Sequence, residues 1–235
     1  MLHLYHLNKS RSFRIVWLLE ELKLAYGIDY QLHQIERDAR TALAPEHLTQ
    51  IHPMGKAPIL VDDSLPAGEN SLAESAVIIE YLLKTYDTDA KFYPTVDAQS
   101  PKTAGKAWRD YTFWLHFAEG SLMPPLVMGL ILDKVAAKSP WFARPIANKL
   151  NSSIHQLILD KNLANALQMV ESALANQDWL AGQFSGADIQ MYFAVKGAKV
   201  RGVLPATHQH TLAWLARCES QQAYKNAEKL AGTAL

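Results

Sequence analysis

Apolar and polar positions alternate through Leu2-His3-Leu4-Tyr5-His6-Leu7, and apolar residues then recur at helical spacing at Ile15, Leu18, Leu19 and Leu22. That change of period predicts a strand followed by a helix. Alternation returns from Ile28 to Ile35, Pro45-Glu46-His47-Leu48 begins a short helical turn, and Ala57 to Val61 is a compact apolar run bounded by turn residues. Asp62 to Gly68 reads as a hairpin loop, after which Ala76, Ile79, Tyr81, Leu82 and Leu83 cover much of a helix circumference. The predicted order is β-α-β-α-β-β-α, ending near Tyr86.

Asp87 to Gln99 has no period and carries a proline, and Ser100-Pro101 reads as the N-cap and first position of a long helix. A domain boundary falls there, giving a first unit of residues 1–86, a linker of residues 87–100 and a second unit of residues 101–235. Apolar residues keep helical spacing through Trp108-Tyr111-Leu115, Ile154-Leu157-Ile158, Leu163-Leu167-Val170 and Leu212-Leu215. The second unit is therefore expected to be an all-α bundle. Within it, Ser185 and Asp188 have the spacing of a capping box, with Phe184 placed to staple against Ile189. This is a helix-nucleation signal rather than a catalytic one.

A proline inside a strand pattern, in Lys56-Ala57-Pro58-Ile59-Leu60-Val61, is the first sign of a site. Proline cannot donate to a sheet ladder. A cis bond in a turn at the strand's mouth accommodates it and leaves the backbone of Ala57 free to pair with an extended ligand. The helix start at Glu74-Ser75 adds N–H groups and a positive dipole end suited to a carboxylate. Together these form a peptide-binding edge.

Composition narrows the possibilities. Lys+Arg and Asp+Glu both number 23 and 49% of the 235 residues are apolar, so a sizeable core is possible and no net field attracts nucleic acid or an anionic membrane. No charged-then-apolar leader precedes Met1-Leu2-His3-Leu4, and no uninterrupted apolar run reaches the roughly 18 residues of a membrane span. A cytoplasmic protein without membrane or nucleic-acid partners is expected. The single cysteine, Cys218, reads as a buried structural thiol. The nine histidines form no His-Glu-x-x-His pattern, and His208-Gln209-His210 reads as a solvated turn, so no metal site is expected. No Gly-rich phosphate loop follows a predicted strand.

Four motifs, in this order, resemble the cytosolic glutathione S-transferases over essentially the whole chain. They are Tyr5 and Ser10 around the first strand-helix turn, His52-Pro53-Met54-Gly55-Lys56-Ala57-Pro58-Ile59-Leu60, Leu72-Ala73-Glu74-Ser75-Ala76-Val77-Ile78, and Phe184-Ser185-Gly186-Ala187-Asp188-Ile189. Trp114 to Pro125 is similar to a bacterial and fungal branch of that family. The resemblance implies an α/β N-terminal thioredoxin-like domain plus an all-α C-terminal helical bundle, and a homodimer active in detoxification. It also implies that glutathione, as co-substrate, lies along the proline edge at Ala57 and Pro58. Glu74 then takes the ligand's ammonium group, Ser75 the adjacent carboxylate and Lys56 a second carboxylate. The competing structural reading makes Ser71-Leu72-Ala73-Glu74 a plain capping box and Lys56 a solvated charge.

A thiol of pKa about 8.5 is only slightly ionised near neutrality, and the thiolate is the nucleophile. Lowering that value by about two units takes about 2.7 kcal/mol. One charge-assisted hydrogen bond supplies roughly 1.5–3 kcal/mol and a helix N-terminus roughly 0.3–2 kcal/mol. A hydroxyl donor is sufficient. The resemblance places that donor at Ser10, with Ser12 and Tyr5 as alternatives; the competing reading of Ser10 is a simple N-cap. A hydrophobic electrophile is expected against the long second-domain helix, with Tyr111, Trp114 and Met123 as pocket candidates; the competing reading of the Trp108-Tyr111-Trp114-Leu115-Met123 stripe is core or dimer interface. Peroxide reduction is a second possible use of the thiolate. A non-catalytic transferase-like binding or regulatory protein and a glutathione-dependent isomerase are the alternatives, although Ser10-Arg11-Ser12 lacks the isomerases' paired serines with cysteine.

Overall fold

The structure, a computed structural model, describes residues 1–41, 43–94 and 101–235, with residues 101–104 described for their backbone only. Strand β1 (Leu2–Leu7) leads into helix α1 (Phe13–Tyr26) and strand β2 (Tyr30–Ile35). A 3-10 turn (Glu46–Gln50), strands β3 (Ile59–Asp62) and β4 (Ser71–Ala73), and helix α2 (Ser75–Tyr86) complete this half. The sheet order is β2-β1-β3-β4, with β1 parallel to β2 and antiparallel to β3, and β3 antiparallel to β4. This is the predicted element order and a thioredoxin-like arrangement. The one change is that the ladder begins at Ile59, just past Pro58, whose bond to Ala57 is cis.

Every further regular element among the described residues is helical. The α-helices are α3 (Pro101–Phe117), α4 (Met123–Lys138), α5 (Arg144–Ile154), α6 (Asp160–Leu174), α7 (Gly186–Val200), α8 (Gln209–Ser220) and α9 (Gln222–Ala231). π-helical turns at Ala118–Leu122 and His155–Leu159 join α3 to α4 and α5 to α6. The expected N-cap Ser100 and much of the expected linker lie outside the described residues. From Asp87 to Phe92 the chain is firmly tied. Asp87 accepts bonds from the Tyr26 hydroxyl and from the N–H groups of Lys91 and Phe92, and the Phe92 carbonyl accepts the Gly186 N–H.

Helix α1 is the centre of the molecule. Every residue from Phe13 to Leu22 is buried, because the sheet covers one side while α2, α7 and α9 cover the others. A helix enclosed in this way is expected to be apolar around its circumference, and its exceptions, Arg14, Glu20 and Glu21, are each tied to a partner. Trp17 packs edge-on against Tyr192 and Tyr224, with ring centroids 5.5 and 5.2 Å away. Its indole N–H donates to Glu21 Oε1 at 2.9 Å. Where α7 starts against α2 and α3, a Cβ on Gly186 would lie 2.7 Å from Ile79 Cγ2 and 2.8 Å from Leu83 Cδ1. Only glycine lets these helices approach so closely.

The capping box forms as expected, and its acid does more than cap. Asp188 accepts the Ser185 N–H at 3.0 Å and hydroxyl at 3.2 Å, and also the Leu180 N–H at 3.0 Å and the Trp214 indole N–H at 2.9 Å. Cys218 is fully buried as read, and burial pushes its thiol well above the ordinary value. The solvated-turn reading of His208-Gln209-His210 needs correction, since His208 is buried at the N-cap of α8. The uninterrupted helical run Gly105–Lys138 is also long and apolar enough, by length and composition alone, to cross a membrane, and only 28% of its most apolar window is buried. Isolated charges interrupt the run, so it forms no uninterrupted apolar stretch.

Two stability predictions follow from these buried carboxylates. Asp188→Ala leaves four donors without their acceptor and is expected to cost about 3–5 kcal/mol in urea unfolding. Glu21 is pushed up to about 7 by burial, only partly opposed by the Trp17 hydrogen bond. A raised carboxyl pKa favours the neutral form in the fold, so this contribution is present below about pH 4.5 and is lost as pH rises through about 7. Glu21→Gln should therefore stabilise the protein by about 1–3 kcal/mol above pH 7 and leave stability unchanged below pH 4.5. Thermal unfolding followed across that range checks both limits.

Candidate active site

Three local structures frame the site: the loop between β1 and α1, the turn before β3 and the start of α2. In the first, Lys9 takes a positive φ of 49° and the chain folds back so that Ser10 and Ser12 meet. Their hydroxyl oxygens lie 2.7 Å apart, Ser10 Oγ donates to the Leu7 carbonyl at 2.8 Å, and it accepts the Ser12 N–H at 3.2 Å. Ser12, not Ser10, occupies the N-cap of α1. The first N–H groups of α1 are taken up within the turn, with Phe13, Arg14 and Ile15 bonding the carbonyls of Ser10, Arg11 and Ser12. The helix consequently offers its dipole here rather than free donors.

The alternatives to Ser10 occupy different environments. Ser12 is fully buried, accepts the Leu7 N–H at 3.1 Å and lies 2.8 Å from His6 Nδ1. His6 is itself buried, and burial lowers its pKa against the opposing hydrogen bonds, which favours the neutral ring. Tyr5 stacks on His33 with ring centroids 4.5 Å apart, on the sheet face opposite buried Leu2 and Leu4. Ser10 and Tyr5 are both partly exposed, and Ser10 stands at the tip of a His6-Ser12-Ser10 chain whose inner members are buried.

At the turn before β3, Gly55 takes a positive φ of 60° and precedes exposed Lys56, half-buried Ala57 and buried Pro58. At the start of α2, the capping-box reading of Ser71-Leu72-Ala73-Glu74 fails, because Ser71 belongs to β4 and Glu74 itself is the N-cap. Glu74 is exposed and holds φ 71° and ψ 123°, a conformation that costs a non-glycine residue about 1–3 kcal/mol. The first intrahelical bond of α2 runs from Ile78 N–H to the Glu74 carbonyl. The N–H groups of Ser75 and Ala76 therefore lie ahead of the helix's own ladder, in the position of an anion site.

Behind this helix end stands a group that no local spacing in the sequence singles out. Arg14 is 1% exposed, donates to Glu119 Oε1 at 2.6 Å and to Ser75 Oγ at 3.5 Å, and lies over the Phe193 ring at 5.2 Å. Arg11 donates to the other carboxylate oxygen of Glu119 at 2.6 Å. Burial pulls Arg14 below its ordinary value while Glu119 opposes the shift; for Glu119, the two arginines outweigh burial and hold its carboxyl below the usual range. Glu119 lay inside the family-like Trp114–Pro125 stretch. Its pairing with residues about a hundred positions away left no local signal.

Among the pocket candidates, Tyr111 is fully buried, edge-on to Tyr93, so it belongs to the core. Trp114 is 6% exposed and borders a shallow open cavity together with Lys106, Asp110 and Phe113. Helix α3 packs on α7. Met123 is half-buried about one turn beyond Glu119. An open cavity of about 450 Å³ lies on another face of α3, lined by Trp108, Phe113, His116 and Phe117 among others. Among the described residues, no group of three or more His, Cys, Asp and Glu side chains is placed to hold a metal ion.

Comparison with known proteins agrees with this architecture. Residues 1–84 match the model of the glutathione S-transferase N-terminal domain and residues 134–222 that of the C-terminal domain. The chain is 36% identical to glutathione S-transferase 3 of Schizosaccharomyces pombe over 85% of its length and 75% of that protein's. It is 31% identical to glutathione S-transferase 1 of Saccharomyces cerevisiae over 98% and 95%. A crystal structure of a glutathione S-transferase from Actinobacillus pleuropneumoniae superposes with a TM-score of 0.72 at 28% identity, covering 98% of this chain and 93% of that one. Matches in both halves, together with full-length relatives above 30% identity, show that this chain belongs to the glutathione S-transferase family of enzymes.

Proposed function

We propose that this enzyme binds glutathione between the Ala57-Pro58 turn and the start of α2, ionises its thiol beside Ser10 and conjugates the thiolate to a hydrophobic electrophile. The observation that carries the reading is the start of α2 at Ser75, where the first N–H groups lie ahead of the helix ladder between an exposed carboxylate at Glu74 and the buried Arg14 cation. A γ-glutamyl end has the complementary chemistry. Its carboxylate meets the N–H groups and hydroxyl of the helix start, and its ammonium meets Glu74. The strained backbone of Glu74 fits this role, since such strain gathers where a ligand must be held. Lys56 lies beside the turn as a partner for a second carboxylate.

The thiol end then falls to Ser10. In the free protein its proton is directed to the Leu7 carbonyl. A thiolate within reach would draw that proton, while Ser12 N–H continues to hold the Ser10 oxygen in place. Ser12 and His6 act as the buried support of this donor. No proton-abstracting base is required, because stabilising the anion near neutral pH is sufficient. The electrophile enters along the helical half near Met123, and the enzyme acts as a homodimer in the cytoplasm.

Ser10→Ala is expected to raise the pKa of bound glutathione by about one to two units, read from thiolate ultraviolet absorbance against pH, and to lower turnover about 10- to 100-fold. Glutathione affinity should change little. A normal thiolate titration in this variant would remove Ser10 as the donor. Glu74→Ala should weaken glutathione about 10-fold or more by calorimetry, through loss of the ammonium partner. Unchanged affinity would return Glu74 to a purely structural role.

A further inference from the structure

The far end of the α4–α5 hairpin is built unlike the rest of the surface. Trp141 and Phe142, in the turn between the helices, are 83% and 69% exposed, and Ile131, Val135, Ile146 and Leu150 on the flanking helices are exposed as well. None of the 11 residues of α5 is buried. The base of the hairpin is held by polar contacts, with Asp133 bonded to Asn151 at 3.0 Å and to Arg201 at 2.8 Å. The distal apolar positions have no such engagement.

Charge distribution indicates what covers them. The chain as a whole carries equal numbers of acidic and basic residues, yet from Lys134 to Leu159 it has Lys134, Lys138, Arg144 and Lys149 and no Asp or Glu. All four cations are exposed. Arg144 folds back on the end of α4, donating to the carbonyls of Ala137 and Ser139, which places one cation beside the aromatic tip. A second copy seated symmetrically on this end would bring like charges together. An anionic lipid surface meets the cations with phosphates and gives the two aromatic rings the interfacial zone they favour.

We propose that the α4–α5 tip binds the surface of an anionic bilayer, with Trp141 and Phe142 seated at the headgroup boundary. The helix Gly105–Lys138, apolar and largely unburied in its most apolar window, does not cross the membrane, because Glu119 within it is paired to Arg14 in the protein core. The hairpin lies on the bilayer and the site stays in water. This inference stands apart from the serine assignment.

The test is co-sedimentation of the full-length protein with phosphatidylcholine vesicles containing phosphatidylglycerol, against phosphatidylcholine alone, at low and high salt. Binding is expected to the anionic vesicles only and to weaken as salt rises. The Trp141→Ser/Phe142→Ser double variant should lower the partition coefficient by about tenfold or more. Lys134→Gln and Lys138→Gln should each lower it roughly fivefold. Retained glutathione turnover shows that each variant is folded. No binding to anionic vesicles, binding equal on neutral ones, or binding unaffected by the aromatic double variant would overturn the proposal. A wild-type oligomer that the same double variant dissociates would also overturn it, by assigning the tip to a second copy.

Discussion

A guanidinium buried between two halves of a protein is the constraint around which this structure is arranged. Arg14 is enclosed by the sheet-bearing half from which it projects and by the helical half that supplies Glu119 and Phe193. An isolated buried cation is prohibitively costly, so the arginine has to find a carboxylate, and its partner comes from a distant segment. Position matters as much as charge. The same side chain reaches Ser75 at the start of α2, and the pairing that docks the halves also sets the potential behind the anion site.

The remaining architecture supports that junction. Gly186 removes the side chain that would push α7 away from α2, the Phe92 carbonyl takes the Gly186 N–H, and Trp17 fills the space between α1, α7 and α9 with edge-on aromatic contacts. Asp188 holds the start of α7 to the chain before it and to α8. The carboxylate that nucleates α7 and the one that joins the halves are therefore separate. Asp188 collects neutral donors, whereas Glu119 collects two arginines.

Much of this could be read from the chain, and the boundary has a physical origin. Period-two and helical spacing located the β-α-β and β-β-α elements because each depends on residues a few positions apart. The capping box and the Pro58 edge were legible for the same reason. The aromatic stripe of α3 could not be divided between core and pocket from the chain, because it looks alike whether it faces a pocket or a neighbouring helix. Arg14, Glu119 and the His6-Ser12-Ser10 chain were invisible as interactions, since pairing across the fold leaves no trace in local spacing. The reading of Glu74 as part of a plain capping box failed on backbone conformation, which side-chain pattern does not encode.

The two π-helical turns have an evolutionary consequence. Each amounts to about one extra residue within an otherwise regular helix, and one residue corresponds to about 100° of rotation. The stretch Ala118–Leu122 carries Glu119 itself and joins α3 to the part that continues toward Met123 and the hairpin. A single deletion or insertion just after Glu119 would turn the outer segment about its own axis while leaving the Arg14 contact in place. Altering length at one turn in this way changes which side chains the outer segment presents to its surroundings, a larger step in surface chemistry than point substitution allows.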